Sequence, residues 1–174
     1  WCCCRTAATG IIPHRCLRTD ADRKEGDGTD MKISTKGRYA LRLMLDIAQH
    51  GGGSPVRIKD IAARQGISVK YLEQIVAVLA RAGYLKSIRG PQGGYRLVRS
   101  PEEYTTGSIL RLTEGSLAPV ECLEGPVNDC PRADSCATLR LWKELDNAVK
   151  SVVDRYTLQD LLNWSEEAGS NFVI

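Results

Sequence analysis

Residues 58–82 read IKDIAARQGISVKYLEQIVAVLARA, and this stretch decides the fold. Apolar residues recur at helical spacing over residues 58–65, which predicts a short helix. The turn Gly66-Ile67-Ser68 follows, and serine is a typical N-cap for a next helix from about Val69 to Ala82. Two helices joined by a tight turn that begins with glycine predict a helix-turn-helix. An ordinary helical hairpin is the alternative interpretation.

The second helix of this pair has two distinct faces. Its apolar face consists of Leu72, Ile75, Val76 and Leu79. Its opposite face carries Lys70, Glu73, Gln74, Ala77 and Arg81. An apolar stripe opposite a polar face predicts a helix that lies on a core and presents polar side chains outward.

A loop that contains glycine and proline follows the two helices. It reads RGPQGG at residues 89–94 and is flanked by strand-like runs at 85–88 and 95–98. This pattern predicts a β-hairpin, the wing of a winged helix, with Arg89 and Gln92 at its tip. The glycines allow the backbone to approach another surface closely. The loop of a nucleotide-binding enzyme is disfavoured, because the Gly-Lys-Ser/Thr ending is absent.

Charge divides the chain into unlike parts. Residues 31–100 contain 13 basic and 3 acidic residues, whereas residues 101–174 contain 6 basic and 13 acidic residues. A basic half is typical of a segment that meets a polyanion. An unevenly charged, solvated surface is the alternative.

The acidic half contains three cysteines and a long helix. Cys122, Cys130 and Cys136 have the spacing C-x7-C-x5-C and form a candidate metal or redox site. Apolar residues of the following helix then step by three and four: Trp142, Leu145, Val149, Val152 and Tyr156. A seam of this kind on a helix that leaves a small domain usually meets a second copy. Burial within the monomer is the alternative.

These patterns predict a mainly α fold with a small β-hairpin wing, that is, a winged helix-turn-helix plus a long dimerisation helix. We expect residues 1–30 to be a disordered extension or a mis-annotated start ahead of Met31. Residues 31–100 are the expected DNA-binding domain, and residues 101–137 are a connecting helix and the cysteine loop. Residues 138–164 are the expected dimerisation helix and C-terminal helix, followed by a flexible tail at 165–174.

The compartment and the class of protein also follow from the residues. Seven cysteines, an odd number, do not suggest a disulfide framework, and no run of 18 apolar residues occurs. We therefore expect a cytoplasmic protein without a membrane partner. The two histidines, His14 and His50, form no evident catalytic set with a serine or paired carboxylates. An enzyme is thus disfavoured.

Three stretches resemble the bacterial IscR/NsrR/CymR-like regulators, the Rrf-two family. They are MKISTKGRYAL at 31–41, GISVKYLEQI at 66–75 and RGPQGGY at 89–95. The resemblance implies a homodimeric winged-helix regulator of transcription that binds double-stranded DNA and acts as a repressor. Its third helix enters the major groove and its wing reaches the neighbouring minor groove.

The resemblance also implies which residues contact DNA. On the third helix they are Ser68, Lys70, Tyr71, Glu73 and Gln74, and on the wing they are Arg89, Gly90, Gln92, Gly93 and Gly94. Gln74 can pair with adenine and Glu73 can accept from cytosine. Lys36, Arg38 and Lys70 suit phosphate. Glu73 also repels DNA that offers it no donor.

By the same resemblance, Cys122, Cys130 and Cys136 hold an iron–sulfur cluster, with [2Fe–2S] favoured over [4Fe–4S]. The cluster would sense cluster supply, iron, nitric oxide or redox state. A fourth ligand is not identified, because Leu139 stands where IscR-like members have histidine and Arg38 where NsrR-like members have aspartate. The alternatives are a CymR-like regulator without a cluster, controlled by a protein partner or thiol oxidation, and a zinc site.

Overall fold

The computed structural model describes residues 33–170, so the expectation for residues 1–30 lies outside the described residues. The helices are α1 (Thr35–Gly51), α2 (Ile58–Gln65), α3 (Val69–Arg81), α4 (Thr106–Glu114), α5 (Leu139–Arg155) and α6 (Leu158–Ser170). The strands are β1 (Leu85–Ile88) and β2 (Gly94–Leu97), which pair antiparallel. Short 3-10 turns lie at Pro101–Glu103, Glu121–Leu123 and Ala133–Ser135. The mainly α fold with a β-hairpin is confirmed.

The helix-turn-helix forms where the sequence predicts it. Gly66 ends α2 with φ +65°, a left-handed conformation that glycine adopts without strain. Ser68 then caps α3, because its hydroxyl accepts a hydrogen bond from the Tyr71 N–H at 3.3 Å. The predicted apolar face of α3 is buried at Leu72, Ile75, Val76 and Leu79.

Helix α1 is the centre of the core. It packs against α3, α4 and α6 and against strand β2. Ala40, Leu43, Met44 and Ile47 lie at its buried face. Because α1 touches nearly every other element, its register sets where the helix-turn-helix lies relative to the rest of the fold.

The segment after the hairpin belongs to the same core as the helix-turn-helix. Tyr104, Ile109 and Leu158 are buried in one cluster with residues of α1 and α3. The Tyr104 hydroxyl also accepts from the Val98 and Arg99 N–H groups at 3.1 and 2.8 Å and donates to the Tyr84 carbonyl at 3.1 Å. The boundary predicted at residue 100 therefore does not separate two cores.

The last helix is longer than the sequence predicts. A flexible tail was expected from residue 165, but α6 continues through Ser170. Trp164 packs edge-on against Tyr156 with ring centroids 4.9 Å apart, and Ser165 accepts a hydrogen bond from Gln49 at 2.6 Å. These contacts hold the end of α6 on the body, whereas residues 171–174 lie outside the described residues.

A buried carboxylate joins α1 to the end of α2. The Asp46 side chain is fully buried and accepts hydrogen bonds from Arg64 at 2.6 Å and from Gln65 at 2.8 Å. Burial alone would raise the pKa of Asp46, but the hydrogen bonds from Arg64 and Gln65 and the Arg64 charge outweigh it and lower this pKa. Arg64 and Gln65 immediately precede the turn into α3, so Asp46 fixes that turn.

We expect Asp46→Asn to lower the free energy of unfolding by about 2–3 kcal/mol, measured by urea denaturation at pH 7, because it removes the charge that holds Arg64. Because the folded pKa of Asp46 is lowered, its stabilisation is present above about pH 4 and is lost as the pH falls through the folded pKa. The difference between variant and wild type should therefore shrink in acid.

The matched control is Glu144→Gln in the exposed Arg140–Glu144 pair, which has the same helical i,i+4 spacing as Asp46–His50. An exposed pair contributes about 0.5 kcal/mol or less, so this variant should unfold almost like the wild type. If Asp46→Asn and Glu144→Gln lowered the free energy of unfolding equally, the stabilising role proposed for buried Asp46 would be wrong.

Candidate functional site

The outward face of α3 carries the residues expected to contact DNA. Lys70, Glu73 and Gln74 are exposed along one side of the helix. Ser68 is exposed as well, but its hydroxyl serves as the N-cap. Tyr71 is only partly exposed and packs edge-on against Tyr39, with ring centroids 5.8 Å apart. The structure therefore brings these side chains together on one surface.

Arg42 braces this surface and was missed by sequence reasoning. Its Nε donates to Gln65 Oε1 and its Nη2 to the Gln65 carbonyl, each at 2.9 Å. The guanidinium also lies over the Tyr39 ring, 5.5 Å from its centroid. Because Arg42 and Gln65 are 23 residues apart, no local sequence pattern predicts this contact.

The first turn of α1, which contains Lys36 and Arg38, is held against the end of α4. Ser34 caps α1 and donates its own hydroxyl to Glu114 Oε1 at 2.7 Å. Glu114 lies over Gly37, where a Cβ atom would be within van der Waals overlap of the carboxylate. The end of α4 thus holds the start of α1, a contact between residues 80 apart that the sequence did not predict.

The wing (residues 85–97) presents its tip to solvent beside the body. Arg89 and Gln92 are exposed there, and Gly90 has φ +116°. The Gly93 N–H closes the tip by donating to the Gly90 carbonyl at 2.9 Å. The tip residues predicted from the sequence therefore lie where that prediction placed them.

The close approach permitted by Gly94 is made within the protein itself. Val56 and Tyr95 exchange two backbone hydrogen bonds of 2.9 Å, which bring the segment before α2 alongside β2. A Cβ atom on Gly94 would lie 2.6 Å from the Val56 carbonyl carbon. A Cβ on Gly93 would lie 2.8 Å from the Gly90 carbonyl oxygen. Both glycines are therefore required by the wing, whatever it contacts.

The cysteine loop (residues 121–136) leads directly into α5. Its three thiols are free and partly exposed, and Cys122 lies in the 3-10 turn that packs against α5. Hydrogen bonds from the Thr138 hydroxyl and from the Thr138 and Leu139 N–H groups lower the pKa of Cys136. Three thiolates are suitable donors for iron, although a cluster usually has four ligands. Among residues 33–170, no three Cys, His, Asp or Glu side chains converge as a metal site.

Helix α5 exposes two large apolar side chains, Val152 of the predicted seam and Leu141 beside it. Leu141 is 57% exposed and Val152 is 48% exposed, whereas the buried side chain of this helix is Asp146. Arg111 holds α5 against α4 through two hydrogen bonds to Asp154, at 2.7 and 2.8 Å. These contacts fix one side of α5 to the body, and of the predicted seam only Val152 is exposed, whereas Trp142, Leu145, Val149 and Tyr156 are partly buried.

Comparison with known proteins decides the family. Residues 33–164 match the family model Rrf2, described as an iron-dependent transcriptional regulator. This chain belongs to the Rrf2 family. The resemblance seen in the sequence is therefore confirmed, and Rrf2-family proteins are regulators of transcription.

Individual Rrf2 relatives agree with this assignment. Protein rrf2 of Nitratidesulfovibrio vulgaris is 47% identical over 133 residues, which cover 76% of this chain and 87% of the relative. The structure of CymR, the global cysteine regulator of B. subtilis, matches with a TM-score of 0.64 at 43% identity and covers 76% of this chain and 97% of CymR. T. potens IscR matches with a TM-score of 0.63 at 42% identity and covers 79% of this chain and 90% of IscR.

The Rrf2 match covers the helix-turn-helix, the wing, the cysteine loop and α5, and so includes every candidate site residue. Its relatives include both IscR and CymR at similar identity, so likeness alone does not choose between the two modes of control. In the part of the chain that the structure describes, no helix is long and apolar enough to cross a membrane.

We expect Gly94→Ala to destabilise this Rrf2-family protein by about 1–3 kcal/mol, because the new methyl group displaces the backbone of Val56. Chemical denaturation measures the loss. The control is Gly125→Ala in the cysteine loop, where a Cβ would meet Val127 at an ordinary 3.4 Å. A Gly94→Ala variant as stable as the control would show that the wing is not bonded to the segment before α2.

Proposed function

We propose that this chain is a cytoplasmic, homodimeric DNA-binding regulator of transcription that acts as a repressor. Helix α3 enters the major groove and the wing reaches the neighbouring minor groove. The observation that carries the proposal is the exposed polar face of α3, which lies beside an exposed wing in the basic half of the chain. The major groove of B-DNA is wide enough to admit an α-helix, and the exposed polar side chains of α3 would then face the base edges.

The residues of this surface fall into two chemical roles. Gln74 can donate and accept in a bidentate pair with adenine, and Glu73 can accept from the amino group of cytosine. Lys36, Arg38 and Lys70 have donors only and suit phosphate oxygens. Tyr71 and Ser68 lie at the start of α3, where the cap and the Tyr39 contact hold them in place. Arg89 and Gln92 extend the surface at the wing.

Apolar side chains of α5 that the single chain leaves exposed or only partly covered support a homodimer. A large apolar side chain in water loses the stabilisation that burial would give it. Leu141 and Val152 are both about half exposed in the single chain, and Trp142, Leu145 and Val149 are only partly covered. A second copy with the same seam would cover them.

The three cysteines support a cluster-dependent form of this function. Cys122, Cys130 and Cys136 would hold an iron–sulfur cluster, with [2Fe–2S] favoured, which when bound would make the loop responsive to cluster supply, iron, nitric oxide or redox state. The loop has few buried side chains of its own and precedes α5 directly. A change in loop order would therefore act at the start of the proposed dimer helix.

A CymR-like regulator without a cluster is the second candidate. Leu139 and Arg38 offer no ligand atoms to iron, and the three thiols do not converge within residues 33–170. In this form a protein partner or thiol oxidation would supply the signal. The lowered pKa of the Cys136 thiol favours its thiolate, the form that oxidants attack.

DNA recognition is tested with duplexes selected by the wild-type protein from a randomised library. We expect Gln74→Ala to cost about 1–3 kcal/mol of binding and to relax the preference at one base pair, because it removes a base contact. Lys70→Ala should weaken binding to all duplexes alike and reduce the dependence on salt. Fluorescence anisotropy at several salt concentrations measures both effects.

Lys143→Ala, an exposed lysine on α5 outside the basic half, is the control and should bind like the wild type. Binding that ignores both salt and sequence in the wild-type protein would refute DNA recognition by this surface.

The dimer is tested at Val149. An aspartate there would place an unpaired charge in the proposed interface and should cost several kcal/mol of association, so Val149→Asp should sediment as a monomer. Asn147→Asp adds the same charge on the opposite side of α5, where Asn147 is exposed, and should remain dimeric. Sedimentation equilibrium distinguishes the two, and a dimeric Val149→Asp protein would show that the seam is not the interface.

The cysteines are tested after anaerobic purification. We expect iron and sulfide in the wild-type protein, loss of both in Cys130→Ala, and retention in the loop control Ser135→Ala. Affinity for the selected duplex should differ between wild type and Cys130→Ala by about 5- to 150-fold, the usual range of coupling between two sites. A wild-type protein without iron that binds DNA like Cys130→Ala would instead support the CymR-like candidate.

A further inference from the structure

Arg57 connects the start of α2 to the tip of the wing. Its Nη2 atom donates to the Pro91 carbonyl at 2.8 Å and lies 3.3 Å from Gln92 Oε1. Both acceptors belong to the exposed tip, whereas Arg57 itself is the residue that precedes α2. The contact therefore spans 34 residues of chain and bridges two elements.

The backbone of Arg57 is fixed on both sides. The preceding residue, Val56, is paired with Tyr95 through two hydrogen bonds of 2.9 Å. The Arg57 carbonyl accepts from the Asp60 and Ile61 N–H groups at 3.0 and 3.2 Å, which starts α2. A side chain that extends from so well-held a backbone can position a loop that has little support of its own.

The wing tip is such a loop. Between the four-residue strands, the Gly93–Gly90 hydrogen bond closes a turn in which Gly90 has φ +116°. Pro91 has no N–H to donate, so its carbonyl is the backbone polar group that this residue offers. Arg57 donates a hydrogen bond to that carbonyl and so connects the tip to the helix-turn-helix.

The chemistry of the second contact fixes the direction of the Gln92 amide. A guanidinium has five donors and no acceptor, so Gln92 must turn its carbonyl oxygen toward Arg57. The amide nitrogen of Gln92 then points away from Arg57 with its two donors free. Without Arg57, either end of the amide could face outward.

We propose that Arg57 is a specificity-determining positioning residue, which orients Gln92 so that the wing offers a hydrogen-bond donor to DNA. The proposal rests on the proposed function, in which the wing reaches the minor groove. There, A·T pairs present only acceptors, whereas G·C pairs add the donor of the guanine amino group. A wing that offers a donor therefore favours A·T pairs at the flank that it touches.

The groove between α2 and the wing supplies a matched control. It has a volume of about 400 Å³ and is lined by both Arg57 and Lys59, together with Ile88, Pro91 and Tyr95. Lys59 carries the same charge at the same end of α2. An effect that comes only from positive charge near DNA would therefore appear equally when either residue is changed.

The experiment compares Arg57→Met, Lys59→Met and Gln92→Ala with the wild type on two duplexes. The duplexes share the sequence selected by the wild-type protein and differ only in A·T or G·C pairs at the wing flank. We expect the wild type to favour the A·T flank by roughly fivefold, the usual effect of one hydrogen bond. Arg57→Met and Gln92→Ala should each abolish the preference for the A·T flank. The double variant Arg57→Met/Gln92→Ala should lose no more of this preference than either single variant.

Lys59→Met should weaken binding to both duplexes and keep the ratio. Arg57→Lys, whose ammonium also only donates, should restore part of it. The proposal is overturned if Arg57→Met keeps the wild-type ratio, or if Lys59→Met abolishes it to the same degree.

Amide hydrogen exchange in the free protein separates this proposal from the proposed function. Arg57→Met should speed exchange several-fold at the Gly93 N–H, which closes the tip, and leave α3 unchanged, whereas Lys59→Met should change neither. Unchanged exchange at the tip would show that Arg57 does not hold it, whatever the protein binds. A wild-type protein that selects no duplex would refute the proposed function and the specificity role together, and faster tip exchange in Arg57→Met would then still establish the tether.

Discussion

The buried carboxylate of Asp46 is the constraint on which the arrangement of the helix-turn-helix depends. A charge in the core is costly unless donors surround it, and here Arg64 and Gln65 supply them from the last turn of α2. Since these two residues precede the turn into α3, the same contact that satisfies Asp46 also sets the angle at which α3 leaves. Arg42 donates two further hydrogen bonds to Gln65 from the exposed side of α1. Contacts within the protein thus position the surface proposed to meet DNA.

The wing is also positioned by contacts with distant parts of the chain, here mainly through backbone hydrogen bonds. Short strands of four residues have little stability alone, and this hairpin gains a third partner in Val56 and a fixed base in the Tyr104 hydroxyl. Gly94 permits the first of these contacts, and Arg57 extends it to the tip. The wing is therefore held to the body by Val56, by Tyr104 and by the Arg57 side chain just before α2, which underlies the proposal that Arg57 orients the tip.

The acidic half is built differently from the helix-turn-helix and the wing. Helix α4 is built into the core through Ile109, and its last residue, Glu114, holds the cap of α1. Beyond it the chain makes a loop with partly exposed thiols and then a helix on which Leu141 and Val152 are exposed. In the proposed function, a signal received by the loop would have two physical routes, through Glu114 to the start of α1 and through α5 to the proposed second subunit. The two candidate modes of control share these routes and differ in what the thiols bind or become.

Local patterns in the sequence determined the helices, the turn, the wing and the family. The helix-turn-helix follows from apolar spacing, Gly66 and Ser68, because these signals act within a few residues of one another. The length of α6 did not follow, since Ser165 is held by Gln49 of α1, which is 116 residues away in the chain. The partners of Asp46, Glu114 and Arg57 were also beyond prediction, although a charged residue on the apolar face of α1 was a signal that could have been read. Only the tertiary structure brings such residues together, because a hydrogen bond between residues far apart in the chain produces no periodic pattern in the sequence.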